Sequence, residues 1–402
     1  MNRNAIAIVS GTILEWYDFS LFGLMASVLA KNFFPQANGA ALLWAFITFS
    51  VGFLARPLGA MFYGYLGDCY GRKKAIVLMM LSTGITSLII ALLPTFKTWG
   101  YIALFILVVC RIVQGFSAST EHAGAMVLFY EIKTNFFGPG LPIFGVFLGM
   151  AVAAISYFVV LHFMGVRFFD HMGWRILFLL GAGLSLIAYK LRKNLIEIMI
   201  VKPDKNPLRY LAKTGKSNLI LGCLIFQFAL VVPYAEFVFM PNLLIHSQLA
   251  SQSFITMVNM VFLVITSLII LVMAKYLDKK LYRPSYYLYL ASLFLSMVVA
   301  LIFLAQGIDS KQQVFLFYSL IALSSILIIS TVPRILNQLF VKAGRLTGVS
   351  LSMNLAAIVF VILLPLCIGK YMPPMDTILI VILISSLGCL ASITLLSKKR
   401  II

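Results

Sequence analysis

Runs of about twenty apolar residues recur from one end of this sequence to the other, separated by short polar segments. A run of that length crosses the hydrocarbon layer of a bilayer as a helix, because only a helix or a closed barrel satisfies every backbone polar group there. Twelve such runs can be drawn, at about 5–30, 40–66, 75–94, 99–130, 138–163, 172–192, 218–246, 253–275, 284–307, 312–340, 347–370 and 375–397. The 402 residues are 62% hydrophobic and 11% charged, well outside the range of an ordinary soluble chain. A formal charge of +19 would suit nucleic acid, but the Lys and Arg stand in the short segments between apolar runs. That pattern is topology rather than a binding face. The five cysteines (Cys69, Cys110, Cys223, Cys367, Cys389) form no C-x-x-C pair and no disulfide or zinc spacing. No metal or cofactor is expected. The first run carries Glu15 and Asp18 and is too long for the apolar core of a cleavable leader, so none is expected.

An even number of spans puts both termini on one side, and charge decides which. With the N-terminus inside, the inner segments carry Arg3, the Arg72–Lys74 triplet, Lys133, the Lys190–Lys193 cluster and the basic residues from Lys202 to Lys216. Further along they carry Lys275, Lys279, Lys280, Arg283, Lys342, Arg345 and the Lys398–Arg400 triplet. The outer loops hold only Lys31, Lys97, Arg167, Lys311 and Lys370. Both termini are therefore expected in the cytoplasm. The longest polar segment, residues 194–217, divides six spans from six, so a bundle over 1–193 and a bundle over 218–402 are expected. A weak repeat supports this. Asp278 follows Asp68 by 210 residues in a similar polar setting, and Gly348 follows Gly138 by the same offset. Paired bundles with a site between them are a transporter arrangement.

One polar stretch stands out, Gly64-Tyr65-Leu66-Gly67-Asp68-Cys69-Tyr70-Gly71-Arg72-Lys73-Lys74. Gly64, Gly67 and Gly71 place small residues at a helix end, where helices approach closely. Asp68 lies where the helix dipole disfavours an anion, so it needs a positive partner, Arg72 or the N-terminus of another helix. Arg72, Lys73 and Lys74 read as a compact basic loop, which by itself is only a cytoplasmic signal. A phosphate loop is excluded, because no Gly-Lys-Ser/Thr follows. The order Gly-x-x-x-Asp-x-x-Gly-Arg-Lys-Lys resembles the loop between the second and third helices of the major facilitator superfamily. The resemblance implies an all-α membrane fold of twelve helices in two six-helix bundles. It also implies a conformational latch at Gly64, Gly67, Asp68, Gly71 and Arg72, echoed at Asp278. In that family the aspartate holds the outward-facing state, and the start of the eleventh span near Thr347 is the expected receiver.

Charged side chains inside a span are costly unless paired or wet, so each is a candidate for function. The first span holds Glu15 and Asp18, three apart and so on one helix face, with Tyr17 between them. Arg56 lies in the second span, and Arg111, Gln114, Glu121 and His122 share a broad face of the fourth. Glu15, Arg56 and Glu121 each lie about 15 Å from the cytoplasmic end of their spans, at 1.5 Å per residue. Such a set neutralises itself, and protonating one acid releases an arginine. That is what a proton-coupled carrier requires; a static network fixing the helices is the alternative. Asp18, Glu15 and Glu121 are the candidate coupling acids, with Arg56 and Arg111 exchanging partners. Arg111, Arg56, Gln114, Tyr17 and His122 are the candidate cavity residues, with Glu236 and Gln227 from the seventh span. Asn259, Arg334, Asn337 and His162 are weaker candidates. Phe33, Phe34, Trp99 and Trp174 sit at span ends and fit an interfacial belt.

The run from Gly11 to Asp18, Gly52-Phe53-Leu54-Ala55-Arg56-Pro57-Leu58-Gly59 and Arg111-x-x-Gln114-Gly115-Phe116 are similar to the metabolite–proton symporters within that superfamily. Trp174-Arg175-Ile176-Leu177-Phe178 and Arg345-x-Thr347-Gly348 with Asn354 resemble its later motifs. The chain departs from that pattern at Ser119-Thr120-Glu121-His122, at Leu177 and ahead of Gly138. With Ile402 as the last residue, the coiled-coil tail of osmosensing members is expected to be missing. The resemblance implies a secondary transporter, not an enzyme, in a bacterial inner membrane. It would move an amino acid, a betaine-type osmolyte or a carboxylate inward with a proton, by alternating access. A proton-driven exporter of a drug or metal-chelating metabolite and a non-transporting membrane sensor are the alternatives. The expected partners are a small-molecule substrate, protons and lipids, with no nucleic acid, and the expected state is a monomer.

Overall fold

The computed structural model describes residues 3–34, 41–132, 141–193, 206–213, 215–234, 252–279, 282–306, 310–359 and 374–398. Among them the regular elements are helices. They run α1 (Arg3–Leu24), α2 (Ala26–Phe33), α3 (Ala41–Tyr70), α4 (Arg72–Leu92), α5 (Phe96–Trp99), α6 (Tyr101–Ala118), α7 (Glu121–Ile132), α8 (Leu141–Phe168) and α9 (Trp174–Lys193). There follow α10 (Pro207–Lys213), α11 (Lys216–Tyr234), α12 (Gln252–Lys279), α13 (Tyr282–Gln306), α14 (Lys311–Leu339), α15 (Arg345–Ala357) and α16 (Pro374–Lys398). The all-α membrane architecture expected of twelve spans is the one observed. Helices α11 and α15 are the described parts of the runs at 218–246 and 347–370.

Several expected boundaries move. The polar stretch around Asp68 is not a loop: α3 continues to Tyr70 and α4 begins at Arg72, so Arg72, Lys73 and Lys74 form the first turn of a helix. Gly71 alone turns the chain, at φ 124°, where a side chain would be strained. The first span divides at Met25 (φ −89°, ψ 0°). Helical hydrogen bonding in the fourth span is interrupted at Ser119 and Thr120, where the Ser119 hydroxyl donates to the Phe116 carbonyl at 2.8 Å. A serine bonding back to its own turn competes with the ladder in this way.

The chain divides into two compact units, Met1–Ala125 with Gly145–Leu208, and Met126–Phe144 with Arg209–Ile402. In the first, α4 packs along α9, and α3 packs along α6. Small residues permit the second pairing: a Cβ on Gly115 would lie 1.9 Å from the Gly52 carbonyl oxygen. Close backbone approach of this kind drives helix association where lipid supplies no hydrophobic force. The aromatic core gathers Tyr17, Phe22, Phe33, Phe169, Trp174 and Phe178. Phe33 and Trp174 meet edge to face at 5.7 Å and are fully buried. They are core residues rather than an interfacial belt, whereas Trp99 is half exposed. Arg175 donates to the carbonyls of Ala91 and Leu93 at 2.8 and 2.7 Å, closing the end of α4 that helical bonding leaves open.

In the second unit, α11 packs on α14, α15 and α16, while α13 packs on α14 and α16. Its interior is polar, and many of its hydroxyls are hydrogen-bonded across or along helices. Ser324 donates to the Ser292 carbonyl at 2.9 Å, Ser296 and Ser386 lie 3.3 Å apart, and Tyr289 donates to the Ile225 carbonyl at 3.1 Å. Arg345 donates to the Asn337 carbonyl at 3.0 Å, pairs with Glu131 at 3.1 Å and covers the Tyr130 ring.

Candidate functional site

The intramembrane charges of the first unit sort into three groups around two clefts that share Glu15 in their lining. Asp18 projects from α1 and is buried. Its Oδ2 accepts from the Ser87 hydroxyl at 2.7 Å and from the Gln114 amide at 2.8 Å. Gln114 in turn accepts from Arg111 Nη1 at 2.8 Å, so a neutral amide relays between the acid and the guanidinium. Arg111 also lies over the Phe22 ring, 4.1 Å from its centre, a cation–π contact that offsets part of its desolvation. Asp18 Oδ1 accepts no hydrogen bond among the described residues.

One helical turn away, Glu15 Oε1 stands 3.5 Å from Arg56 Nη2, while Oε2 is unpartnered among the described residues. Arg56 is held between Phe19 and Phe53, 5.2 and 5.0 Å from the ring centres. Glu15, Asp18, Arg56, Arg111 and Gln114 line one open cleft of about 350 Å³, together with Phe19, Phe53 and Thr83. The cleft thus offers cations, acids with vacant lone pairs, an amide and aromatic faces within one small volume.

Glu121 is placed differently from its sequence expectation. It opens α7 and faces a smaller cleft of about 220 Å³ with Gly11 and Glu15. Its partner is Arg192, in the last turn of α9: Nη1 donates to Oε2 at 2.7 Å, and Nη2 pairs with Oε1. Sequence reasoning counted Arg192 among the basic residues of a cytoplasmic segment. The signal that bears on it is Gly11, whose absent side chain leaves room for the pair. A Cβ there would lie 2.0 Å from Arg192 Nη2.

The other candidates are dispersed. The Tyr17 hydroxyl donates to the Leu177 carbonyl at 2.9 Å, inside the α1–α9 packing rather than the cleft. His122 is buried, with Nδ1 unpartnered among the described residues. Gln227 belongs to the second unit and donates to the Ser385 carbonyl at 3.2 Å between α11 and α16. Asn337 bonds back to the Pro333 carbonyl at 2.7 Å, and His162 stacks on Phe158 on an exposed face. Glu236 lies outside the described residues. Asp278 falls in α12, its side chain outside them. At the end of α3, Gly64, Gly67 and Asp68 are buried, and Asp68 pairs with Arg72 across the Gly71 turn. No group of three or more His, Cys, Asp or Glu side chains suited to a metal occurs among the described residues.

Residues 8–362 match the family model of the Major Facilitator Superfamily. The chain belongs to that superfamily. This is a superfamily of transporters rather than enzymes, and its members are multi-pass membrane proteins. As a major facilitator protein the chain is 30% identical over 385 residues to the ectoine/proline transporter of Corynebacterium glutamicum, covering 88% of this chain and 74% of that relative. It is 37% identical over 201 residues to the proline/betaine transporter of Escherichia coli K12, covering 48% of this chain and 40% of that one. Against the E. coli K12 shikimate transporter it is 37% identical over 202 residues, covering 48% and 46%. The matches to the two E. coli relatives thus span less than half of their length. Among solved structures, the proton:xylose symporter bound to 6-bromo-6-deoxy-D-glucose superposes with a TM-score of 0.79 at 15% identity, over 98% of this chain and 95% of that one. An inward-open form of the E. coli xylose transporter gives 0.67 at 13% identity, over 96% and 95%. These two establish the major facilitator fold.

Proposed function

We propose that this chain is a secondary active transporter that takes up a small polar metabolite with a proton by alternating access. The substrate class is an amino acid, a betaine-type osmolyte or a carboxylate. The observation that carries the reading is the cleft in which Glu15 with Arg56 and Asp18 with Gln114 and Arg111 stand together. A guanidinium is suited to a substrate carboxylate, by planar bidentate hydrogen bonding. An acid freed from its arginine is suited to a proton or to a substrate cation. The proton is taken by a carboxylate of α1, Asp18 or Glu15, with Glu121 as the third acid. The activities named for the relatives, ectoine/proline, proline/betaine and shikimate transport, supply the probes.

In this reading the two bundles cover residues 1–193 and 218–402, joined by a cytoplasmic linker at 194–217, with both termini cytoplasmic in a bacterial inner membrane. The chain works as a monomer among lipids. Asp68 and Arg72 act as the conformational latch, with Gly64, Gly67 and Gly71 admitting close approach and Asp278 as the counterpart.

The test is uptake of labelled proline, glycine betaine and shikimate into proteoliposomes, with an imposed pH gradient and by counterflow without one. Gradient-driven accumulation of at least one probe is expected. Asp18→Asn combined with Glu15→Gln abolishes accumulation and leaves counterflow measurable. Full accumulation in that double variant would show that the acids are structural and the coupling lies elsewhere.

A further inference from the structure

Arg192 makes contacts that nothing about a cytoplasmic basic cluster requires. It is fully buried, and its guanidinium is hydrogen-bonded from two directions. Toward α7 it meets both oxygens of Glu121. Toward α1 its Nε donates to the Ala7 carbonyl at 2.8 Å and its Nη2 to the Ile8 carbonyl at 2.5 Å. Those carbonyls lie one turn before Gly11 and two turns before Glu15, on the helix that also carries Asp18. The guanidinium sits in the notch left by Gly11, where a Cβ would lie 2.2 Å from its central carbon and 2.4 Å from Glu121 Oε1.

Resting on the transport reading above, we infer that Arg192 is a positioning residue: it locks Glu121 into a permanent ion pair and fixes the register of α1, leaving proton exchange to Asp18 and Glu15. The contrast among the acids carries this. Both Glu121 oxygens are occupied by one fully buried cation. A proton on Glu121 would leave that fully buried cation without its carboxylate partner, and an uncompensated buried charge is among the costliest defects a protein can hold. Asp18 Oδ1 and Glu15 Oε2 each keep a vacant lone pair, and both side chains line the larger cleft. Asp18 is held by the neutral donors Ser87 and Gln114, so its protonation strands no directly bonded cation there. The charged and titratable groups around Glu121 are Arg192 from α9, Glu15 from α1 and the adjacent His122, with Arg56 of α3 reaching Glu15.

Infrared pH titration of the purified full chain in lipid reads carboxyl protonation with no substrate present. Wild type is expected to gain a protonated-carboxyl C=O signal as the pH falls, and Asp18→Asn with Glu15→Gln to lose the part of it that those two acids contribute. Arg192→Gln should add a further signal, from a Glu121 that now takes up a proton, and lower gradient-driven proline accumulation about tenfold or more. Arg192→Gln with Glu121→Gln should lose the added signal, keep the wild-type one and recover most of the accumulation. A double variant that instead lacks the wild-type signal would make Glu121 the coupling acid and overturn the assignment; so would an Arg192→Gln spectrum identical to wild type. Should Arg192→Gln not fold, Gly11→Ala pushes the guanidinium out of its notch without altering charge. It should add the same signal, and an unaltered spectrum there counts against the clamp. Failure of every transport probe in wild type would sink the reading of the preceding subsection, while the spectra decide this one separately.

Discussion

The amide of Gln114 stands between Asp18 and Arg111, donating to one at 2.8 Å and accepting from the other at 2.8 Å. A carboxylate and a guanidinium in direct contact hold each other tightly, whereas an interposed amide lets each change partner without leaving a buried charge bare. The relay thus keeps the acid of α1 and the cation of α6 in communication while both remain able to move.

Gln114→Leu removes that relay and keeps the volume. A hydrogen bond to a charged group contributes about 1.5–3 kcal/mol, so gradient-driven uptake should fall about tenfold or more. Initial rates in proteoliposomes measure this, and wild-type rates would show that Asp18 is not held by the amide.

Gly115→Ala places a methyl group where the Gly52 carbonyl oxygen lies 1.9 Å away. Helices α3 and α6 must part, at a cost of about 1–3 kcal/mol. Thermal unfolding in detergent should show a lower Tm. Gly183→Ala, where the added carbon meets nothing beyond its own helix within 4 Å, is the matched control and should keep or slightly raise Tm, because Ala favours a helix interior over Gly. Equal Tm values for the two variants would refute close packing at Gly115.

Arg175→Ala strips the carbonyls of Ala91 and Leu93 of their donor. Unsatisfied buried acceptors cost about 1–3 kcal/mol each, so this variant too should unfold at lower temperature. Arg175→Lys restores a point donor but not the two-carbonyl reach of one guanidinium nitrogen, and should fall between. A Tm matching wild type in Arg175→Ala would mean that the end of α4 is closed by other groups.

Cys69 is partly exposed beside the buried Asp68–Arg72 pair, and the proposed topology would put it inside the cell. A membrane-impermeant thiol reagent should leave it unlabelled in intact cells and label it in inverted vesicles; labelling in intact cells would reverse the topology. Asp68→Asn removes the carboxylate that pairs with Arg72 across the Gly71 turn. Labelling of Cys69 in inverted vesicles should accelerate as this turn loosens. An unchanged rate would reduce Asp68 to a topology residue.

The sequence by itself determined the solvent this protein folds in. Apolar runs of membrane length, basic residues concentrated in alternate segments and a handful of charges inside spans are all local facts. Spacing along one helix also carries far enough to put Glu15 and Asp18 on a shared face, and Asp68 within reach of Arg72 four residues on. Only the tertiary structure decided which charges meet across helices. Arg192 stands between Lys190 and Lys193, and nothing local distinguishes the one that turns inward to meet Glu121, 71 residues earlier. The same holds for Phe33 and Trp174, which as isolated residues suit a bilayer interface and in the fold bury each other. Inside a membrane, burial cannot be read from hydrophobicity, because lipid and protein interior are equally apolar; which face of a helix turns inward is set by close packing of small residues and by polar groups seeking partners.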